Sequence, residues 1–170
     1  MLIIKFIQSL FKALNSDGTP GQVGMGLALG LVFGLTPLMS LHNLVFLAIA
    51  MLTTVSFPGV MLGWAIAVPF GFMLDPLFDR VGMALLTTDA LAPMWTWIVS
   101  TPVLSLAHLN NTIVLGSLVT WAVLFVPAYF LFRYLVARYR KDIYARLEKT
   151  HAFRVIKTSK LWSVYEMFRP

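Results

Sequence analysis

The sequence contains no cysteine and little charge: of its 170 residues 12% are charged, whereas 59% are hydrophobic. The lack of cysteine excludes disulfides, thiolate catalysis and cysteine-ligated metal or iron–sulfur sites. A soluble domain has about 25% charged residues with which to cover its surface. The stretches Gly18 to Leu74 and Ala90 to Phe132 carry no Asp, Glu, Lys or Arg, and each exceeds the roughly 20 residues of one transmembrane helix. The sequence therefore predicts an all-α, multi-pass integral membrane protein and excludes an ordinary soluble enzyme.

The basic residues cluster near the two ends of the chain. Every Lys and Arg except Arg80 lies before residue 17 or after residue 132. The positive-inside rule then places both termini in the cytoplasm and an acidic loop from Asp75 to Asp89 on the outer side. We predict an amphipathic interfacial helix over residues 1–17, a membrane domain over 18–132 with halves of about 18–88 and 89–132, and a basic cytoplasmic tail over 133–170.

The first charge-free stretch begins with a helix-start signal. Thr19, Pro20 and Gln22 combine a capping threonine, proline in the first helical position and a glutamine three residues on. The helix then carries glycines four residues apart, at Gly26, Gly30 and Gly34. This spacing predicts close helix packing; a glycine track along a pathway is the alternative. The stretch is long enough for three short helices or for one crossing plus a re-entrant hairpin, and the sequence leaves both open.

The two stretches resemble each other around a proline. Thr36-Pro37-Leu38-Met39-Ser40-Leu41 matches Thr101-Pro102-Val103-Leu104-Ser105-Leu106, and a weaker match joins residues 55–58 to 123–127. Because each half crosses the bilayer an odd number of times, the copies would have opposite orientations, as in the inverted repeats of transporters. Pro37 and Pro102 predict helix breaks, since proline removes a backbone donor and disfavours helix at the residue before it.

Polar side chains gather at both predicted breaks. Carbonyls freed there are tolerated at membrane depth only when they are buried in protein or face water. We expect these side chains to line a substrate path between the halves, and they are Thr36, Ser40, His42, Asn43, Thr101, Ser105, His108 and Asn110. The alternatives are hydroxyls that bond back to their own helix and histidines that lie at the membrane interface.

The last 38 residues carry ten basic and three acidic side chains. Directly after a membrane span, basic residues bind the anionic inner leaflet. We expect Arg133, Arg138, Arg140 and Lys141 to contact lipid headgroups. Binding of single-stranded nucleic acid is the less favoured interpretation.

The run Gly18-Thr19-Pro20, followed by Gly26-Leu27-Ala28-Leu29-Gly30-Leu31-Val32-Phe33-Gly34-Leu35-Thr36-Pro37, resembles the bacterial inner-membrane family DUF2062. Asn43 before an apolar run and the spacing of Pro69 and Pro76 are similar too. The resemblance implies a small all-α inner-membrane protein with no established activity, joined in some relatives to glycosyltransferase domains. It implies no catalytic residues, and a direct role in glycosyl transfer is not expected here because the sequence shows no such domain.

These observations predict a transport or translocation subunit for a lipid or another envelope component. The alternative is a membrane anchor that recruits a partner through its glycine groove and basic tail. No nucleophile, acid–base pair, zinc spacing or phosphate-binding loop stands out. We therefore expect a non-enzymatic protein without cofactor or metal, whose partners are membrane lipids with anionic headgroups and a second copy or another envelope protein rather than nucleic acid.

Overall fold

The computed structural model describes residue 14 and residues 18–143 of the chain. These residues form helices and no strand: α1 Pro20–Leu35, α2 Leu41–Leu52, α3 Phe57–Leu86, a 3₁₀ turn Asp89–Leu91, α4 Ala92–Ser100, α5 Pro102–Ser105, α6 Thr112–Arg138 and a π-helical segment Tyr139–Ile143. The prediction of an all-α chain is confirmed for this part. The interfacial helix predicted over residues 1–17 lies, apart from Leu14, outside the described residues.

Helix α1 begins as its sequence predicts. The Thr19 hydroxyl accepts a hydrogen bond from the Gln22 amide at 3.2 Å, and the Gln22 side chain accepts one from the Thr19 amide at 2.7 Å. This capping box satisfies two amides that a helix start otherwise leaves without partners. Pro20 occupies the first helical position.

Helices α1 and α3 run parallel and in close contact. Gly26 lies against Ser56 and Gly59, Gly30 against Val60 and Gly63, and Gly34 against Ala67 and Gly71. Residue numbers rise together along the two helices, so α2 must carry the chain back from the end of α1 to the start of α3. The first charge-free stretch therefore contains two short helices and the first half of a long one.

Helix α6 runs antiparallel to both. Gly24 of α1 packs on the backbone of Arg133, while Gly82 and Gly116 bring the far end of α3 against the start of α6. The indole of Trp121 donates a hydrogen bond to the buried carbonyl of Ala28 at 3.0 Å. The N-terminal end of α1 and the C-terminal end of α6 thus lie at the same end of a three-helix bundle.

Residues Asp75 to Leu86 are helical, which corrects the acidic loop expected there. Helix α3 continues through Pro76 and Asp79 to Leu86. The hydroxyl of Thr112 donates a hydrogen bond to the Asp79 carboxylate. Packing of this segment on α6 supplies the tertiary contacts that outweigh the unfavourable helix propensity of proline. Of the three aspartates in the expected loop, only Asp89 lies beyond α3.

Two helices of the described part are long and apolar enough to cross a membrane. They are Phe57–Leu86, with 30 residues, and Thr112–Asp142, with 31 residues. Large apolar side chains remain exposed around the bundle, among them Leu52 at 87% and Phe72 at 77%. The C-terminal boundary of the membrane domain, which we expected at residue 132, falls inside the second of these helices.

The N-terminal cap of α6 can be tested by replacing Asn111. The Asn111 side chain accepts hydrogen bonds from the amides of Ile113 at 3.0 Å and Val114 at 3.2 Å. We expect Asn111→Ala to lower the free energy of unfolding by about 1 kcal/mol because these amides lose their partner. The matched change Asn110→Ala, at the exposed neighbour, should stay within about 0.5 kcal/mol. Equal effects, measured by circular dichroism during denaturation in detergent, would contradict the cap.

Candidate functional site: two helix breaks

The first break lies between α1 and α2, and its polar side chains form hydrogen bonds with the backbone of the break. Thr36 ends α1 with φ −106° and ψ 155°, the extended conformation that the following proline favours. Its hydroxyl lies 2.7 Å from the Val32 carbonyl and 3.0 Å from the Asn43 side-chain oxygen. Ser40 then precedes α2 and donates its hydroxyl hydrogen to the Pro37 carbonyl at 2.7 Å.

Asn43 connects α2 to this break. Its amide nitrogen donates to the Pro37 carbonyl at 2.9 Å and approaches that of Leu38 at 3.4 Å. Thr36, Ser40 and Asn43 are 5%, 9% and 4% exposed. The side chains of Thr36, Ser40 and Asn43 are therefore paired with backbone carbonyls of the break itself, those of Val32, Pro37 and Leu38.

The second break repeats the first in its hydroxyl contacts. Thr101 bonds the Trp97 carbonyl four residues back at 2.8 Å, and Ser105 bonds the Pro102 carbonyl three residues back at 2.8 Å. Thr36 and Ser40 make the same two contacts at the same sequence separations. The two motifs share these hydroxyl contacts but not their backbone conformation, because Pro102–Ser105 forms the short helix α5 whereas residues 37–40 lie outside any helix.

The residues after the two serines differ in structure as well. The position of Asn43 is taken by His108, an exposed residue with φ +52°, in the left-handed region. Asn110 is exposed as well. The weaker match fails in structure, because Val55 and Ser56 lie in the break before α3, whereas residues 123–127 lie inside α6.

Only the first break forms a dense polar group. Thr36 contacts Asn43, and Asn43 shares the Pro37 carbonyl as an acceptor with Ser40. Among the described residues, no hydrogen bond joins this group to the polar residues of the second break, which are Thr101, Ser105, His108 and Asn110. Neither buried ring nitrogen of His42 has a hydrogen-bond partner among the described residues.

Both breaks nevertheless line one pocket, which is wide open to the surface of the protein. It has a volume of about 410 Å³. Its lining residues are Leu38, Met39, Ser40, Leu41, Asn43, Leu44 and Leu47 from the first break and α2, and Leu106 from the second break. Six of these eight side chains are apolar leucine or methionine. The described residues contain no group of three His, Asp or Glu that could hold a metal ion.

Helix α2 docks on the bundle through one face. Phe46 packs edge-on against Trp121 of α6 with ring centroids 4.6 Å apart, and Asn43 and Ala50 are buried on the same side. Leu44 and Met51 are 64% and 70% exposed. The uncovered face is therefore apolar.

Of the four basic residues expected to bind headgroups, Arg133 and Arg138 lie in the last turns of α6, and Arg140 and Lys141 lie in the π-helical segment that follows it. Arg140 donates to the carbonyls of Leu14 at 2.9 Å and Gly18 at 2.7 Å. Arg138 bonds the Tyr134 hydroxyl at 2.7 Å and lies 3.8 Å from the Asp142 carboxylate. Arg133 and Lys141 are exposed. Arg140 thus ties the two ends of the described chain together in addition to contributing positive charge.

Sequence reasoning missed two features of this site. Helix α3 carries its own row of small residues four apart, Gly59, Gly63, Ala67 and Gly71, which receives the glycines of α1. The same spacing rule that singled out α1 would have found it. The role of Asn43 as a buried link between α2 and the break has no signature in the sequence, because asparagine occurs equally in turns and at interfaces.

The comparisons with known proteins agree with the resemblance seen in the sequence. A family described as uncharacterised protein conserved in bacteria, DUF2062, matches residues 5–143. An uncharacterised protein of Treponema pallidum (strain Nichols) is 27% identical over 162 residues, which cover 94% of this chain and 98% of the relative. No solved structure matches the chain. Since the match extends over most of the chain and includes every helix described above, this protein belongs to the DUF2062 family.

Proposed function

We propose that the protein is a multi-pass, non-enzymatic inner-membrane protein that takes part in moving a lipid or another envelope component across the bilayer. Under this proposal both termini lie in the cytoplasm, and the four basic residues at the end of α6 contact anionic headgroups. The two Thr-Pro breaks are counterparts of an inverted repeat and enter the membrane from opposite faces.

The observation that carries the proposal is the pocket shared by the two breaks. Helix α1 has 16 residues and at about 1.5 Å per residue is about 24 Å long, shorter than the ~30 Å hydrocarbon core. A chain that enters the membrane with α1 therefore reaches its first break before leaving the lipid. Leu106 of the second break lines the pocket beside Ser40 and Asn43. Discontinuous helices that meet in this way are typical of substrate sites in transporters.

The experiment is a flux assay in liposomes that contain a fluorescent phospholipid. We expect flux with the native chain and a loss of about five- to 150-fold in Ser40→Ala combined with Ser105→Ala, because the two changes together remove ~1–3 kcal/mol of hydrogen bonding that shapes the breaks. Ser100→Ala is the matched control, since this exposed hydroxyl lies outside both Thr-Pro-x-x-Ser motifs.

The flux assay has two results that contradict the transport proposal. One is no flux above protein-free liposomes with folded native protein, and the other is equal flux in the double variant and in Ser100→Ala. Circular dichroism of the reconstituted protein establishes folding in each case.

A membrane scaffold is the second candidate function, and the uncovered apolar face of α2 favours it. Helix α3 occupies the glycine groove of α1, so a partner would bind α2 and the basic end of α6 instead. Absence of flux with folded native protein is the result that this candidate requires.

A further inference from the structure

The pocket between the breaks offers a ligand almost no hydrogen bonds. The Ser40 hydroxyl hydrogen is used by the Pro37 carbonyl, and the Asn43 amide is used by the carbonyls of Pro37 and Leu38. The Asn43 side-chain oxygen faces the Thr36 hydroxyl. No charged residue lines the pocket. A headgroup or a polar solute would lose its hydration there without replacement, which is costly, whereas a hydrocarbon chain would lose nothing.

The pocket also opens toward the region that lipid occupies in a membrane-embedded chain. Among its lining residues, Leu38, Met39 and Leu44 are 54%, 94% and 64% exposed, and Leu106, on the wall contributed by the second break, is 60% exposed. The charge-free stretches Gly18 to Leu74 and Ala90 to Phe132 contain both walls. In the membrane placement proposed above, a ligand would reach the pocket sideways from the bilayer, without crossing a charged entrance.

We infer that this pocket binds one acyl chain of a bilayer phospholipid, held between the first break and Leu106. The inference rests on the proposed function and narrows the transported component to a lipid that is recognised by its tail. The volume of about 410 Å³ lies within the ~300–1,000 Å³ of small-molecule sites. An acyl chain that comes from the bilayer is already out of water, so packing against the leucines, and not hydrophobic transfer, supplies the binding free energy.

The test uses a phospholipid with a photoreactive diazirine in its acyl chain, in liposomes that contain the full chain. Illumination followed by peptide mapping should place the labels on residues 38–47 and on Leu106. Leu44→Trp fills the pocket from α2, and the matched control Leu52→Trp enlarges an 87% exposed residue of the same helix away from the pocket. We expect labelling of the pocket to fall about tenfold in Leu44→Trp and to stay unchanged in Leu52→Trp. Leu106→Trp, at the lining residue contributed by the second break, should repeat the loss.

Two results would overturn the inference. One is labelling spread evenly over exposed apolar positions such as Leu52 and Val123, with no response to Leu44→Trp. The other is efficient disulfide formation between two copies of Leu44→Cys, which would assign the pocket to a second copy of the chain. Labelling is measured without flux, so a localised label supports the acyl-chain site even where the flux assay fails, and flux with dispersed label supports the proposed function alone.

Discussion

Gly30→Ala is expected to destabilise the protein by about 1–3 kcal/mol, although alanine is the better helix former. A Cβ atom at residue 30 would overlap the Val60 carbonyl oxygen and lie 2.8 Å from the Trp64 amide nitrogen. Both atoms belong to the backbone of α3, so no side-chain rotation relieves the overlap and the two helices must separate. The measurement is the free energy of unfolding in detergent, followed by circular dichroism.

Gly21→Ala is the matched control on the same helix. The nearest atoms to a Cβ there are the Tyr129 hydroxyl oxygen at 3.6 Å and the Thr19 hydroxyl oxygen at 3.7 Å, which is ordinary contact. Its replacement should be neutral or stabilise by up to about 1 kcal/mol. The two glycines are therefore expected to change stability with opposite signs. If both variants were equally stable, the close approach of α1 and α3 would be wrong.

Residue types with a local physical signature allowed much of the fold to be predicted. The capping residues at Thr19 and Gln22 mark the start of α1 because their interactions are made within one turn. Glycines at a spacing of four indicate a close contact, and Pro37 and Pro102 mark the two breaks. The packing of Gly24 on the backbone of Arg133 brings the start of α1 and the end of α6 to one end of the bundle, while the cytoplasmic placement of both termini stays a prediction.

Features that depend on distant contacts were not predictable from the local sequence. The acidic and proline residues after Leu74 favour a loop, yet Gly82 and Phe78 pack on α6 and this segment stays helical. The glycine row of α1 predicts a partner helix but does not identify it, and the parallel pairing with α3 requires the return through α2. Pairing of the two breaks in one pocket depends on Leu106, a residue with no distinguishing chemistry.

The residues of the candidate substrate path also divide into those whose contacts were predictable from the local sequence and those whose contacts depend on tertiary structure. Thr36 and Ser40 were identified from their motif, and their hydroxyls bond the preceding backbone, the alternative that the sequence left open. Thr101 and Ser105 make the same hydroxyl contacts, because these contacts depend only on residues three or four positions earlier in the chain. Asn43 differs from Asn110 only through tertiary structure: the first is buried between α2 and the break, and the second is exposed in a turn.

Asn43→Leu is accordingly expected to lower the free energy of unfolding by about 1–3 kcal/mol, whereas Asn110→Leu should change it by less than about 0.5 kcal/mol. Leucine removes the donor to the Pro37 carbonyl and the acceptor opposite the Thr36 hydroxyl. Helix α2 has little other buried surface with which to compensate, since its fully buried residues are Asn43 and Ala50.

A double-mutant cycle with Thr36→Val separates the polar link from simple loss of packing. If the two side chains act through their contact, the double variant should lose less stability than the sum of the single variants, with a coupling of about 0.5–3 kcal/mol.

Loosening of α2 should also expose residue 50, which is 2% exposed. An Ala50→Cys reporter in the cysteine-free chain should then react faster with a thiol reagent in the Asn43→Leu background than in the Asn110→Leu background. Equal reaction rates together with additive energies would show that α2 is held by its apolar face, through Phe46 and Trp121, and not by the asparagine.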